Sequence, residues 1–211
     1  MCGRYVISPP MMRRIEKALQ TSFPEMETNL NVAPTTLVPV ILAGEEGGYL
    51  LKRMRWGLIP HWSGEPSTPY STFNARVESA ATKPAFRESF ARRRCLVPAL
   101  GFYEWHEEEG KKRAYYFTSR DYLGFAFAGL WDLWKREGEE IYSCTILVGP
   151  PNALVAPLHD RMPVILREAD YVPWLDTAGG APMAGELSTP FPAEGMRVGK
   201  IGPGQFGKAL P

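Results

Sequence analysis

The chain has 211 residues, of which 45% are hydrophobic and 22% are charged, and its net charge is +1. This composition is typical of a globular protein and excludes a largely disordered one. It lacks the strongly basic balance of many nucleic-acid-binding proteins, so a polyanion site would need a few clustered arginines, which composition alone neither supports nor excludes. Because no apolar run reaches the ~18 residues of a membrane span and no signal segment opens the chain, we expect a cytoplasmic protein and, by default, a monomer.

The first part of the chain is predicted to contain a strand, an amphipathic helix and a pair of strands. Residues 3–8 are predicted as a strand, and Ser8-Pro9 predicts a helix start with Ser8 at the N-cap. Apolar residues then recur at the spacing of one helix face: Met12, Ile15 and Leu19. A turn-rich loop is predicted over 29–35, followed by strands over 37–42 and 49–55.

The rest of the chain is predicted to be helical first and rich in strands afterwards. Residues 73–79 lead into a helical pair whose second member opens at Thr82-Lys83-Pro84. Later elements are predicted as strands over 95–104, 115–118, 125–134, 141–148 and 196–198, with a short helix over 170–175. Because no repeat and no long linker divides the sequence, we predict one α+β domain over residues 1–211, with a curved, mostly antiparallel sheet and a few flanking helices.

The cysteine content predicts neither a disulfide nor a metal site. Three cysteines are an odd number, and the expected compartment is reducing. Cys95 and Cys144 lie in apolar strand-like segments and are best explained as small core residues. No CxxC or HxxxH spacing occurs, so we expect no zinc and no other cofactor.

The remaining cysteine, Cys2, follows Met1 directly, so removal of the initiator methionine would place a thiol and a free α-amine on one residue. An α-amine titrates near pH ~7.7–8.0, so much of it is nucleophilic at neutral pH. It can form a Schiff base with an aldehyde, after which the thiol closes a five-membered thiazolidine ring on the imine carbon. The alternative is an inert cysteine at an accidental position, and on Cys2 alone that interpretation is favoured.

Three polar residues could assist such chemistry, and each also has an ordinary structural explanation. Glu104 lies among aromatic residues at the end of an apolar strand, where desolvation would raise its pKa towards neutral, but it could also face solvent. His159, followed by Asp160-Arg161, could exchange protons near neutral pH or be a structural imidazole. Asn74 could bind a hydroxylated substrate or cap a helix.

Arginines at a repeated spacing point to a polyanionic partner. Each lies two positions after a candidate residue: Arg4 after Cys2, Arg76 after Asn74 and Arg161 after His159. Residues two apart in an extended strand share a face, so guanidinium groups that bind phosphate would surround the site. Trp62, next to His61, could stack on an unpaired base, although core packing is the commoner role of a tryptophan.

Several segments, in order along the chain, resemble the SOS-response-associated peptidase family, also called abasic-site processing proteins. The matching segments are Met1-Cys2-Gly3-Arg4-Tyr5, Asn31-Val32-Ala33-Pro34, Arg55-Trp56-Gly57-Leu58-Ile59-Pro60, Asn74-Ala75-Arg76-Val77-Glu78, Gly101-Phe102-Tyr103-Glu104-Trp105 and His159-Asp160-Arg161-Met162-Pro163. They extend from residue 1 to about Leu166, and the C-terminal Val198-Gly199-Lys200 resembles the family only loosely. The resemblance implies an α+β domain around a curved, barrel-like β core.

The resemblance also implies a protein that recognises abasic sites in single-stranded DNA and crosslinks to them. Cys2, once Met1 is removed, matches the residue that forms the thiazolidine with the aldehyde of the ring-opened sugar. Glu104 matches the residue that shuttles protons during imine formation and ring closure. Asn74 matches a residue that holds the opened sugar and the DNA backbone, and His159 matches an acid–base residue implicated in sugar opening and crosslink reversal.

The DNA-binding and lyase expectations follow from the same resemblance. Arg4, Arg76 and Arg161 would bind phosphates that flank the lesion, and Trp62 falls in a segment that wedges against the duplex side of a junction. The imine intermediate would acidify the C2′ proton and permit β-elimination, which is an abasic-site lyase activity. A role in DNA repair and the SOS response implies association with the nucleoid. Because the net charge is near zero, we expect a short footprint and a modest salt dependence of DNA binding.

Two other functions remain open at this point. The older family name suggests a thiol peptidase, with Cys2 as nucleophile and His159 as base, or a self-cleavage after Met1. The other alternative is a single-stranded DNA-binding module without catalysis. The adjacency of amine and thiol on Cys2 favours the aldehyde-trapping interpretation over both. Blocking the α-amine would abolish aldehyde trapping but leave a thiol peptidase active.

Overall fold

The structure, a computed structural model, describes residues 2–44, 46–68, 70–178 and 187–208. The strands are β1 (Arg4–Ile7), β2 (Asn29–Val32), β3 (Leu37–Ala43), β4 (Tyr49–Trp56), β5 (Asn74–Arg76), β6 (Arg94–Ala99), β7 (Gly101–Glu108), β8 (Lys111–Ser119), β9 (Phe125–Arg136), β10 (Glu139–Gly149), β11 (Met162–Pro163), β12 (Ile165–Leu166) and β13 (Met196–Lys200). The helices are α1 (Pro10–Leu19), α2 (Val77–Ala80), α3 (Arg87–Arg92) and α4 (Tyr171–Leu175), with 3-10 turns at Glu168–Asp170 and Ala193–Gly195. No helix in these ranges is long and apolar enough to cross a membrane.

A closed β-barrel forms the centre of the protein. Among the described residues, the five strands β3, β4, β10, β9 and β6 pair in that order and β6 pairs back to β3. The pair β4–β10 is parallel and the other pairs of the ring are antiparallel. This arrangement confirms the predicted α+β class with a curved, mostly antiparallel, barrel-like core. In a barrel this small, side chains fill the interior, and Cys95 and Cys144 are among them, as predicted.

A second, antiparallel sheet lies beside the barrel and carries the N-terminal end of the chain. Its strands are ordered β13-β8-β7-β1-β2. In this sheet β1 pairs with β7, so that Arg4 lies opposite Tyr103 and Val6 opposite Gly101. The register places Cys2, two residues before Arg4, near the middle of β7, which is the strand that carries Glu104.

The single strand predicted over 95–104 is wrong, because the chain changes sheets at Leu100. The barrel strand β6 ends at Ala99, the amide N–H of Leu100 donates to the carbonyl of Val6 at 2.8 Å, and β7 begins at Gly101 in the other sheet. A Cβ on Gly101 would lie 2.3 Å from the carbonyl oxygen of Phe117, so only glycine allows this close approach. The crossing carries Glu104 out of the barrel wall and towards the N-terminus.

Three further local predictions need correction. Helix α1 buries Met11, Met12, Ile15 and Leu19 as its apolar face, as predicted, but it begins at Pro10 with Pro9 at the cap position. The hydroxyl of Ser8 instead hydrogen-bonds Thr28 at 3.2 Å. The predicted loop over 29–35 includes β2, because Val32 pairs with Tyr5. The segment 73–79 includes the short strand β5, which extends the sheet by parallel pairing with β10.

Candidate active site

Asn74 connects the barrel to the N-terminal residue of the described chain. It begins β5, where it pairs with Ile146 of β10, and its side chain is buried. The Nδ2 atom of Asn74 donates a hydrogen bond of 2.8 Å to the main-chain carbonyl oxygen of Cys2. The Oδ1 atom is buried without a hydrogen-bond partner among the described residues. An orphaned buried acceptor next to Cys2 is suited to a donor that arrives with a ligand or with a new amino terminus.

Glu104 is the buried carboxyl group of the site. It lies on β7 opposite Tyr115 and is only 2% exposed, which answers the question that the sequence left open about its orientation. Burial raises its pKa to about 7, against the positive charge of the amino terminus, while the charge of Asp160 acts in the same direction as burial. A carboxyl group with this pKa can both give and take a proton at neutral pH.

His159 faces Glu104 across the site. Its Nε2 atom lies 3.9 Å from Oε2 of Glu104, and its Nδ1 atom accepts a 3.0 Å hydrogen bond from the main-chain N–H of Arg161. In a neutral ring this bond leaves the proton on Nε2, towards Glu104, whereas a charged ring would turn its Nδ1 proton to Asp160, 3.0 Å away. Burial and the charge of the amino terminus lower the pKa of His159, against the charge of Asp160, so the neutral ring predominates at neutral pH.

The turn before His159 is fixed by hydrogen bonds that sequence reasoning missed. Oδ1 of Asn152 accepts main-chain hydrogen bonds at 3.0 and 3.1 Å, and the N–H of His159 donates to the carbonyl of Val155 at 3.0 Å. His106, on the same face of β7 as Glu104, places its Nδ1 atom 3.3 Å from the carbonyl oxygen of Leu158. Because a carbonyl only accepts, His106 donates this bond and ties the turn to β7.

The thiol of Cys2 is fully buried and is held in its protonated form. Its Sγ atom donates a weak hydrogen bond to the carbonyl oxygen of Arg4 at 3.8 Å. Burial, together with the nearby charge of Glu104, raises the pKa of Cys2 well above its usual value. The thiol is therefore not a ready thiolate in this state, and the pairing of β1 with β7 places Cys2 beside the strand that carries Glu104.

Of the three predicted phosphate-binding arginines, Arg161 forms an ion pair with Glu78, for which the sequence predicted no role. Arg76 is exposed at the end of β5, two residues after Asn74, so for this pair the expected strand spacing applies. Arg161 follows His159 in a turn rather than a strand, and its guanidinium group binds the carboxylate of Glu78. Arg4 is half-buried, and its guanidinium donates to the carbonyl of Gly3 at 2.7 Å.

Trp62 lies in a separate segment after β4, with 49% of its surface exposed. Next to it, the main-chain N–H and the Nδ1 atom of His61 lie 2.9 and 3.1 Å from the buried carboxylate of Asp132 on β9. Glu88 and Arg93 complete a ring of charges around these two residues. The structure thus attaches this segment to the barrel wall at Asp132 rather than at Cys2, and it leaves the indole of Trp62 directed outward instead of into the core.

The described residues contain no group of three or more His, Cys, Asp or Glu side chains that could hold a metal ion. The groups that the described site offers for chemistry are a thiol, a carboxyl group of pKa about 7 and a neutral imidazole. Met1, whose removal the sequence analysis predicts, lies outside the described residues.

Comparison with known proteins agrees with this arrangement. The family model of the SOS response associated peptidase (SRAP) matches residues 1–203. The chain belongs to the SRAP family. Its relatives include the abasic site processing protein YoqW of Bacillus subtilis, 35% identical over 95% of this chain and 92% of the relative. Another is the abasic site processing protein HMCES of Xenopus tropicalis, 31% identical over 81% of this chain and 60% of the relative.

Solved structures place this SRAP chain among proteins of the same fold. A crystal structure of a protein from Bordetella bronchiseptica superposes with a TM-score of 0.81, covers 95% of this chain and all of the other, and is 26% identical. A protein from Bacteroides thetaiotaomicron superposes with a TM-score of 0.80 at 25% identity, over 96% of this chain and 93% of the other. The barrel with its adjoining sheet is therefore the SRAP fold.

Proposed function

We propose that this SRAP protein processes abasic sites in single-stranded DNA by forming a covalent thiazolidine crosslink through Cys2 after Met1 has been removed. The names of the relatives support abasic-site processing as its function and DNA with abasic sites as its partner. The observation that carries the proposal is that three elements meet at Cys2: Asn74 binds its main chain, and β1 pairs with β7, whose Glu104 lies 3.9 Å from His159. Asn74 donates a hydrogen bond to the Cys2 carbonyl. The Glu104 carboxyl group has a pKa of about 7, and its charge raises the pKa of the Cys2 thiol.

The first chemical step joins the α-amine of Cys2 to the aldehyde carbon C1′ of the ring-opened sugar. Addition gives a carbinolamine, and the amine proton passes to the new hydroxyl group. Glu104 then donates its proton to this hydroxyl, water leaves, and the nitrogen lone pair forms the carbon–nitrogen double bond of an iminium ion. Because the pKa of Glu104 is about 7, a large fraction of this carboxyl group is protonated at neutral pH and ready for the step.

The second step closes the ring through the thiol. The Sγ proton of Cys2 passes to the carboxylate that Glu104 has become, and sulfur attacks the iminium carbon to give the neutral thiazolidine. The raised pKa of the thiol opposes this transfer in the free protein, but the adjacent iminium charge favours the thiolate when it is needed. Glu104 ends in its starting form, and the sum of both steps is the loss of one water.

The other site residues have roles that their surroundings support. The partnerless Oδ1 atom of Asn74 can accept a hydrogen bond from the Cys2 amine or from a sugar hydroxyl. The Nε2–H of neutral His159 can donate to sugar oxygens, and the ring can accept a proton when the crosslink reverses. Arg4, Arg76 and Arg161 would bind phosphates flanking the lesion, and the exposed indole of Trp62 would stack where single-stranded DNA meets a duplex.

The iminium intermediate also supports an associated lyase activity. Its positive charge acidifies the C2′ proton, and removal of that proton by a base expels the 3′ phosphate by β-elimination. The iminium ion can therefore either close to the thiazolidine ring or undergo β-elimination, which cleaves the strand. We place this chemistry in DNA repair in the SOS response, with the protein associated with the nucleoid, and with removal of Met1, by the protein itself or by another enzyme, as the step that activates it.

The thiol-peptidase alternative is less well supported by the geometry. A thiol nucleophile that attacks peptides needs a lowered pKa, from a histidine or a helix N-terminus next to it. Burial raises the pKa of Cys2 instead, and the charge of Glu104 raises it further, against the charge of the amino terminus. A binding module without catalysis would leave the buried carboxyl group of Glu104 without a purpose, although burying it carries a cost.

The proposal is tested with single-stranded DNA that carries one abasic site, on a denaturing gel run without reduction. The unaltered protein is expected to give a heat-stable shifted band, and Cys2→Ala none. Cys2→Ser keeps the amine but cannot form a thiazolidine, so it should give a band only after borohydride reduction traps the imine. Cys144→Ala, which removes another buried thiol, is the matched control and should crosslink normally. A heat-stable band with Cys2→Ala would overturn the proposal.

A further inference from the structure

The carboxylate of Glu78 binds the guanidinium group of Arg161 at the rim of the site. The Nη1 atom of Arg161 donates to Oε1 of Glu78, although the two residues are 83 positions apart in the chain. Glu78 lies on α2 with 45% of its side chain exposed, and the side chain of Arg161 is 22% exposed. The contact therefore lies where a ligand from solvent can compete for it.

Arg76 brings a second positive charge to the same carboxylate. Partial burial acts to raise the pKa of Glu78, but the hydrogen bond from Arg161 and the charges of Arg161 and Arg76 lower it overall. Glu78 is consequently an anion at neutral pH, under the influence of two guanidinium groups. An oxyanion in this position satisfies the same donors that a phosphate group would satisfy.

The two arginines are placed next to the residues of the proposed chemistry by their own main chains. Arg76 ends the strand β5, which begins at Asn74. The main-chain N–H of Arg161 binds the ring of His159. A phosphate that reaches both guanidinium groups would therefore lie beside the segments that carry Asn74 and His159.

We propose that Glu78 is an affinity-determining residue that occupies the phosphate-binding face of Arg161 until a DNA phosphate displaces it. This inference rests on the proposed function, because it takes DNA as the ligand of the two arginines. The internal carboxylate keeps the guanidinium group of Arg161 in place in the free protein. It also weakens DNA binding, because each binding event must break the ion pair between Glu78 and Arg161 before a phosphate can replace it.

The proposal predicts tighter binding when the carboxylate is removed. Glu78→Gln should raise the affinity for an undamaged single-stranded oligonucleotide about two- to fivefold, as expected for loss of a competing exposed ion pair. The dependence of log affinity on log salt should change little, because Arg161 neutralises one DNA phosphate in both proteins. Undamaged DNA carries no aldehyde, so fluorescence anisotropy measures binding apart from crosslinking.

A matched control separates this effect from a general loss of negative charge. Glu140 has 49% of its side chain exposed and forms an ion pair of 2.6 Å with Lys135 on the β9–β10 hairpin. Glu140→Gln therefore removes a carboxylate of equal charge and similar exposure from a pair at another place. Its affinity for the oligonucleotide should change much less than that of Glu78→Gln.

A double-mutant cycle assigns the effect to Arg161. Glu78→Gln should tighten binding in the unaltered protein and much less in an Arg161→Gln background, where the guanidinium group that forms the ion pair with Glu78 is absent. Glu78→Ala is expected to act in the same direction, and melting curves establish that each variant is folded. Unchanged or weaker binding by folded Glu78→Gln and Glu78→Ala, or an equal gain in Glu140→Gln, would overturn the inference. Failure of the unaltered protein to crosslink abasic DNA would instead count against the proposed function.

Discussion

The imidazole Nε2 atom of His159 lies 3.9 Å from the carboxyl Oε2 atom of Glu104. Burial shifts the pKa of each group in the direction that favours its neutral form. Burial raises the pKa of the acid and lowers that of the base, so the pair is close to neutral near pH 7. A neutral pair of this kind can move protons in either direction at little cost. The neutral state of the two groups distinguishes this site from an ordinary structural ion pair, in which both groups would be charged.

Replacement of Glu104 should change the pH dependence of crosslinking. Glu104→Gln removes the proton donor, so the crosslinking rate should fall by about 10²-fold. The unaltered protein should show an inflection in log rate near pH 7 that the variant lacks, because its carboxyl group titrates there. Single-turnover crosslinking rates from pH 5.5 to 8.5 check this. An inflection near pH 7 that persists in Glu104→Gln would contradict the assignment.

The same carboxyl group should destabilise the fold at higher pH. Its pKa in the folded protein is about 7, above the 4.5 of an exposed glutamate, so the folded state binds a proton more tightly than the unfolded state. The contribution of Glu104 to stability is therefore largest below pH 4.5, and it falls as the pH rises from 4.5 to 7. Glu104→Gln lacks this loss, so between pH 5 and 8 its free energy of unfolding should rise by about 2.5 kcal/mol relative to that of the unaltered protein. Urea unfolding at both pH values measures the difference, and parallel pH profiles would contradict the raised pKa.

Removal of the Asn74 amide should impair crosslinking more than stability. Asn74→Ala loses the hydrogen bond to the Cys2 carbonyl, which is worth about 1 kcal/mol to the fold. Crosslinking should fall at least tenfold, because both the placement of Cys2 and the acceptor Oδ1 are lost. Asn152→Ala is a useful contrast, since it disturbs the turn before His159 and leaves the Cys2 contact in place. Normal crosslinking by Asn74→Ala would remove Asn74 from the site.

The exposed indole of Trp62 and the attachment of its segment to Asp132 should favour crosslinking at junctions between single-stranded and duplex DNA. Trp62→Ala should reduce crosslinking to an abasic site beside a duplex about tenfold, a loss of one stacking contact, and should affect plain single strands less. His61→Ala, which loses the ring contact to Asp132, should shift the same ratio in the same direction. Competition between junction and single-stranded substrates in one reaction measures the ratio. An unchanged ratio for both variants would show that Trp62 does not contact the duplex.

Local patterns predicted the placement of several candidate site residues. The spacing of Asn74 and Arg76 placed them together because β5 is a strand, and the position of Cys2 beside Met1 suggested its chemistry directly. The aromatic neighbours of Glu104 suggested burial, and the side chain is buried. Element types were predicted well where hydrophobic periodicity was strong, as in α1, β9 and β10.

Long-range contacts account for what the sequence did not predict. The strand break at Leu100 depends on the approach of Phe117 to Gly101, and the strand β2 forms only because β1 offers an edge for pairing. The ion pair between Glu78 and Arg161 joins distant parts of the chain, and no local sequence pattern predicts it. The closure of the barrel, through the pairing of β9 with β10 and of β3 with β6, is likewise a property of the whole sheet.

The central claim is tested most directly by the intact mass of the product formed with single-stranded DNA that carries one abasic site. The account predicts one species whose mass is that of the protein without Met1 plus the oligonucleotide, less one water. Peptide mapping should place the sugar on Cys2, and blocking the α-amine with an added N-terminal residue should abolish the product. A product that retains Met1, one attached to an internal lysine, or no product from protein that lacks Met1 would contradict the account.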